Sequence, residues 1–398
     1  MPKRVILAYS GGLDTSVAVH WITKEWGAEV VALAVDVGQS TDDDWDTIRH
    51  RALAAGAVEA LVVDARAEFA DDYCLPALRA NALYEGKYPL VSALSRPVIV
   101  KHLVACAREQ HADAVAHGCT GKGNDQVRFE VSTRALAPDL DVLAPVREWG
   151  FTREGSIDYA AKHEIPIKVR KDNPYSIDEN LWGRAIECGV IEDPWAAPPE
   201  EPFTLTNETA TEPWELTIGF DAGVPATVDG RALAFDELVS EVSRLVGSYG
   251  WGRIDMVENR RVGIKSREVY ECPGSLALIM AHADLESMTL ERDLMREKAR
   301  LESRYAELVY DGLWFSPLRS ALDAFVDATQ AKVTGEVRLH LEPGRCHVVG
   351  RRAEHGLYDY ELATYDAADQ FRHQDAAGFV RLWGLGLETI ARRQGPPT

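Results

Sequence analysis

No two of the six cysteines (Cys74, Cys106, Cys119, Cys188, Cys272, Cys346) form a C-x-x-C pair. Their scatter excludes a zinc ribbon, a dithiol redox motif and a disulfide scaffold. Basic residues are also in short supply. The 43 Lys and Arg face 63 Asp and Glu, and the net charge of −20 argues against a nucleic-acid-binding surface. No apolar run approaches the ~18 residues of a membrane span. Lys3-Arg4 precedes only the short apolar run Val5–Tyr9, too little for a signal peptide. His340-Leu341-Glu342 lacks the downstream P-C-x-x-C of a zinc deaminase, so His340 reads as a strand residue. Asn207-Glu208-Thr209 fits a glycosylation acceptor but has no secretion signal to accompany it. These absences predict a soluble, cytoplasmic protein with no nucleic-acid or membrane partner.

At 398 residues the chain exceeds one typical core of ~100–200 residues, so two domains are expected. Its most informative stretch is Ser10-Gly11-Gly12-Leu13-Asp14-Thr15-Ser16, directly after the apolar run Val5–Tyr9. Strand, glycine turn and helix in that order make a phosphate cradle. The glycines let backbone approach an anion, and the helix aims its first unpaired N–H groups at the same spot. The G-x-x-x-x-G-K-[ST] spacing of the common phosphate loop is missing, so backbone and the Ser10, Thr15 and Ser16 hydroxyls must hold the phosphates, with a metal to help. An ordinary tight turn is the alternative for a bare Gly-Gly.

The first 170 residues alternate strand and helix. Val5–Tyr9, Val30–Val37, Ala60–Asp64, Ala114–His117 and Ile165–Val169 read as strands. Asp14–Trp26, Asp46–Ala55 and Pro97–Gln110 read as helices, the last starting with proline in its first turn. That order predicts a doubly wound, mainly parallel α/β sheet, with ligands at the carboxyl ends of its strands. Asp193–Pro202 looks like an exposed boundary or excursion between domains. Beyond it come a strand at Glu215–Phe220, a helix at Phe235–Gly247 and a long helix at Thr289–Tyr310. Antiparallel strands follow at Val333–Leu341 and His347–Gly350, then an apolar helical tail from Asp366 to Arg393 that suggests packing on another subunit. The expected division is a nucleotide-binding domain over 1–170, an α+β synthetase domain over 171–365 and a helical tail over 366–398.

A second glycine turn runs from Gly118 through Cys119, Thr120, Gly121, Lys122 and Gly123 into Asn124, Asp125 and Arg128. Hydroxyl, amide and carboxylate there suit both ends of an amino acid, and Arg128 offers a fork for a carboxylate or phosphate. Cys119, within that cradle, is a potential thiol-reagent target. Three further segments are polar beyond what a fold needs. Tyr84–Pro89 is a loop, Asn173–Gly183 reads as a turn followed by a short helix, and Ile254–Arg260 leads into Lys265–Glu271.

The first motif resembles the pyrophosphate-releasing ATPase loop shared by GMP synthetases, asparagine synthetases, NAD synthetases and tRNA thiolases. Together, AYSGGLDTS, GCTGKGNDQVRFE, NPYSIDENLWG and DMVENR with KSREVYE resemble the argininosuccinate synthases from about Val5 to Pro317. A thiolase would need sulfur-transfer cysteines and a basic surface, and an amidotransferase would need a glutaminase nucleophile. The resemblance implies condensation of L-citrulline and L-aspartate through citrullyl-AMP, with ATP as substrate, Mg2+ accompanying the nucleotide, and a homotetramer. It assigns Ala8, Tyr9, Ser10, Gly11, Gly12, Leu13, Asp14, Thr15, Ser16 and Gly118 to ATP. Thr120, Asn124 and Asp125 fall to aspartate. Tyr88, Asn124, Arg128, Ser176, Glu258 and Tyr270 fall to citrulline. Asp14, Asp125 and Arg128 are the expected catalytic residues. Two hydroxyls of the family pattern are missing, with Ala93 and Ala185 in their places.

Overall fold

The structure is a computed structural model that describes residues 2–39, 44–167 and 174–395. The chain forms two compact units, Met1–His355 and Gly356–Thr398. In the first unit, β1 (Arg4–Ala8), β2 (Glu29–Asp36), β3 (Glu59–Asp64), β4 (Ala114–Ala116) and β5 (Asp141–Leu143) form one sheet of order β3-β2-β1-β4-β5. Every pairing in it is parallel. Val5, Ile6 and Leu7 are wholly buried, as a strand covered on both faces requires. Strand order reverses between β1 and β4, which pair with Leu7 opposite Ala116. In an open α/β sheet the ligand crevice lies outside the strand ends at that reversal. Both glycine turns open there. A Cβ placed on Gly118 would sit 3.0 Å from Thr15 Cγ2, so the two turns are packed against each other.

The helices of this layer depart from the sequence reading in instructive ways. The expected Pro97–Gln110 helix begins at Val91 and runs to Glu109, with Pro97 inside it. Proline leaves the Ala93 carbonyl without its helical partner, yet burial of Val91, Leu94 and Val98 extends the helix across that defect. Residues 165–167 of the expected Ile165–Val169 strand are not in a strand, and 168–169 lie outside the described residues.

The expected short helix after Asn173 is instead a hairpin of β6 (Ser176–Asn180) and β7 (Gly183–Glu187); Asn173 itself lies outside the described residues. Asn180 Oδ1 accepts from Trp182 N at 2.8 Å, closing the turn. Gly183 follows at φ +152, where a Cβ would lie 2.8 Å from the Glu271 carbonyl oxygen. Further on come β8 (Trp214–Asp221), β9 (Val224–Val228), β10 (Arg231–Ala232), β11 (Arg253–Asn259), β12 (Lys265–Glu271), β13 (Gly335–Glu342) and β14 (Arg345–Ala353). They complete two more sheets, of order β11-β12-β7-β6 and β10-β9-β8-β13-β14. His340 lies in β13, as expected.

The Phe235–Gly247 helix matches its expected bounds. The expected Thr289–Tyr310 helix is split. A buried helix, Pro273–Thr289, ends at Leu290, and a new one runs Arg292–Tyr310. Glu291 caps the second, its side chain accepting from Asp293 N and Leu294 N. In the second unit, residues 366–372 are not helical. Helices occupy His373–Trp383 and Leu385–Gln394, with Trp383 81% and Leu387 75% exposed.

Candidate active site

The Ser10–Ser16 turn is built by its own polar groups. Gly11 sits at φ +75, and its carbonyl accepts from Arg51 Nη1 at 2.9 Å. The Ser10 and Thr15 hydroxyls lie 3.2 Å apart, and Ser10 Oγ accepts from Gly12 N at 3.3 Å. Tyr9 OH and Ser16 Oγ lie 3.0 Å apart in the buried layer beneath. Gly12 starts the Leu13–Trp21 helix without a side-chain cap, so the turn keeps an open N-terminus. Ala8 ends β1 and Leu13 is buried, anchoring the turn from both sides. Asp14 is half-buried, and its carboxylate makes no hydrogen bond among the described residues. Burial raises its pKa, partly offset by Arg153. Arg51 was not anticipated; it arrives from the Trp45–Ala54 helix, far from any glycine motif.

The second turn leads into the Asp125–Leu136 helix. Asp125 accepts from Arg96 Nη2 at 2.7 Å and from Arg128 Nη1 at 2.9 Å. Burial would raise its carboxyl, but the two guanidinium groups outweigh burial and hold it at about 2. Arg96 also reaches Asp178 on β6 at 2.6 Å. Asn124 donates to Tyr310 OH at 2.8 Å and accepts from Arg261 N at 2.8 Å. Arg128 Nε donates to the Tyr310 carbonyl, and a Cβ on Gly312 would lie 2.9 Å from Arg128 Cα. Thr120 is exposed on the turn. The Cys119 thiol is pushed up by burial first and Asp125 second, which opposes the expected reactivity toward thiol reagents.

Aromatic rings and carboxyls form the facing wall. Tyr88 stacks on Tyr270 with centroids 4.2 Å apart, and Tyr84 stacks on Tyr310 at 3.5 Å. Glu258, on β11, has one oxygen 2.8 Å from Tyr270 OH and the other accepting from Tyr310 OH at 2.6 Å. Burial and then Glu268 push its carboxyl up to about 7. Arg260 bridges Glu187 at 2.8 Å and Glu268 at 2.7 Å. Burial and Glu268 raise Glu187 to about 8. Ser176 is exposed at the start of β6, in register with Glu187 and on the same strand face as Asp178. Ala185 stands in register with both Asp178 and Tyr270, and Ala93 is buried three residues before Arg96. The two alanines therefore border the wall.

Arg96, Glu268, Arg260 and Tyr310 were missed as site residues. Arg260 and Glu268 lay inside the quoted motifs. Tyr310 followed the apolar stripe of its helix and read as core. The signal for Arg96 was a charge inside an apolar helix just before a proline. The two described cavities, about 560 and 360 Å³, are lined by none of the expected site residues. In the larger, Ser240 and Ser248 donate to carbonyls of their own helix. Among the described residues no cluster of three or more His, Cys, Asp or Glu could hold a metal ion.

A parallel β3-β2-β1-β4-β5 sheet with two glycine turns at its reversal is the architecture of a nucleotide-binding α/β domain, and a wall of phenols and carboxyls stands beside it. Residues 4–166 match the family model for the arginosuccinate synthase N-terminal HUP domain, and residues 175–390 match that for the C-terminal domain. The chain belongs to the argininosuccinate synthase family, ATP-using ligases that join citrulline to aspartate in arginine biosynthesis.

Proposed function

We propose that the Ser10–Ser16 turn holds the β,γ-phosphates of ATP while the citrulline ureido oxygen attacks the α-phosphorus. A ureido carbon is a poor electrophile with a poor leaving group; adenylation turns its oxygen into a good one. Pyrophosphate departs into the turn, where the open helix N-terminus and hydroxyls oppose its growing negative charge. The aspartate amine then displaces AMP from citrullyl-AMP. Asp125 orients the aspartate ammonium, with Thr120 and Asn124 toward its carboxylates. Arg128, Tyr88, Ser176, Glu258 and Tyr270 hold citrulline. The supporting observation is that a Cβ on Gly118 would lie 3.0 Å from Thr15 Cγ2, so the two glycine turns run side by side.

Magnesium would be held by phosphate oxygens and water, with Asp14 the carboxylate available beside the cradle, in keeping with its preference for retained waters and few protein ligands. Bound there, it would neutralise phosphate charge. The exposed apolar residues of the His373–Trp383 and Leu385–Gln394 helices support a homotetramer assembled through the 366–398 tail. Residues 1–170 would serve the nucleotide and 171–365 the amino acids. No described helix is long and apolar enough to cross a membrane, which is compatible with a cytoplasmic enzyme. Citrulline carrying ¹⁸O in its ureido group is expected to pass the label to AMP. Label retained in argininosuccinate, or ADP as product, would sink the scheme.

A further inference from the structure

Proton bookkeeping around Tyr270 does not close with both neighbouring carboxyls charged. Its hydroxyl lies 2.8 Å from Glu258 Oε2 and 2.8 Å from Glu268 Oε2, and a phenol has one hydrogen to donate. One carboxyl must therefore carry a proton and donate it back to the phenol oxygen. Glu268 already has a cationic partner, since its other oxygen accepts from Arg260 Nη2 at 2.7 Å and from Ser266 Oγ at 3.1 Å, so the proton falls to Glu258. Glu258 is 1% exposed and makes no ion pair among the described residues. Its other oxygen accepts from Tyr310, whose own oxygen accepts from Asn124. Arg128 faces it and opposes its protonation, but its Nη1 and Nε are engaged by Asp125 and the Tyr310 carbonyl, and its Nη2 makes no bond to Glu258. Tyr84 and Tyr88 face it as neutral phenols, and Glu187 faces the far side of Arg260. Burial and the Glu268 charge both favour the protonated form, placing its titration at about 7.

We propose that Glu268 is a positioning residue that keeps Glu258 protonated in the empty pocket, so that citrulline entry ionises Glu258 and releases that proton to solvent. The Glu258 O–H bond breaks, the Tyr270 hydrogen stays with Glu268, and Glu258 Oε2 is freed to accept from the substrate ammonium. No other bond changes. The proposal rests on the citrulline reading of this pocket.

The test is calorimetry of citrulline binding to the full chain, with a non-cleavable α,β-methylene ATP analogue present, in buffers of different ionisation enthalpy between pH 6 and 8. Wild type is expected to release a fraction of a proton per site that grows as pH falls through 7. Glu268→Gln is expected to bind citrulline with several-fold less release at pH 7. It should also move the acid limb of kcat/KM for citrulline about one unit lower, a tenfold change in proton affinity. Binding without release in wild type, or equal release in both proteins, overturns the proposal while leaving the pocket reading intact. Uniformly weaker binding with an unmoved limb overturns it too, since that is the signature of lost packing. Absence of citrulline binding by wild type would overturn the pocket reading itself, and the proposal with it.

Discussion

Two largely buried polar clusters lie in the same unit, and only one of them leaves guanidinium nitrogens without a partner. In the scaffold, Lys298 reaches Glu286 at 3.1 Å and Glu302 at 2.7 Å. Asn81 donates to both carboxylates, Gln330 donates to Glu286, and the His282 ring nitrogens lie 2.7 and 2.8 Å from the Asn81 and Gln330 amide oxygens. No polar side-chain atom of these six residues is buried without a partner. At the site, Arg128 Nη2 and Arg96 Nε are buried with none. There Asp125, Asp178, Glu187, Glu258 and Glu268 outnumber Arg96, Arg128 and Arg260. A buried donor left unsatisfied costs about 1–3 kcal/mol, and a ligand oxygen can recover it. The scaffold cluster has nothing to offer a ligand; the site cluster is finished only by one.

The sharpest way to break this contrast is Lys298→Met, which strands the buried Glu286 carboxylate and takes the cation from the half-buried Glu302. It is expected to cost about 3–5 kcal/mol in denaturant unfolding while leaving kcat/KM near wild type at permissive temperature. A loss under ~1 kcal/mol would make the cluster no different from a surface pair. Next in size, Asp125→Ala removes two charge-assisted hydrogen bonds at a group already short of partners. The aspartate KM should rise on the order of 100-fold, far more than the citrulline KM, with a loss of stability smaller than that of Lys298→Met because Arg96 keeps Asp178. Equal effects on both substrates would undo its assigned role.

The smallest effect has the opposite sign. Because the folded Glu258 carboxyl titrates at about 7, above an unfolded value of ~4.3, the folded state binds more protons in that window, and stability falls as pH rises through it. Glu258→Gln copies the protonated form and does not titrate. Its Tm should exceed wild type by about 4 °C at pH 8 and match it at pH 4, while citrulline turnover is lost. A lower Tm at pH 8 would place Glu258 among ordinary structural acids.

The parallel sheet was legible in the sequence because strands buried on both faces are uninterrupted apolar runs: Val30–Val35 can be little else. The β6–β7 hairpin was not, and for a physical reason. A strand is recognised when its inward positions are apolar, and here Ser176 and Asp178 share the face turned to the site. β11 and β12 carry Glu258, Glu268 and Tyr270 inward in the same way, so their alternation reads as a solvated charge run. Function erased the pattern that would have announced the strands. The phosphate turn escaped this because its information is carried by glycine, whose meaning is conformational. Arg96 and Tyr310 stayed hidden because each belongs to a helix whose other residues make ordinary core.

The Arg292–Tyr310 helix belongs to both clusters, contributing Lys298 and Glu302 to one and Tyr310 to the other. Between Lys298 and Tyr310 the chain itself is a ruler, roughly 18 Å long at ~1.5 Å per residue. One residue inserted between them would turn the Tyr310 phenol by ~100° away from Glu258, even if every contact around Lys298 survived. The spacing of the pocket wall from its anchor is thus written as a count of residues, a quantity that repacking of neighbouring side chains cannot adjust.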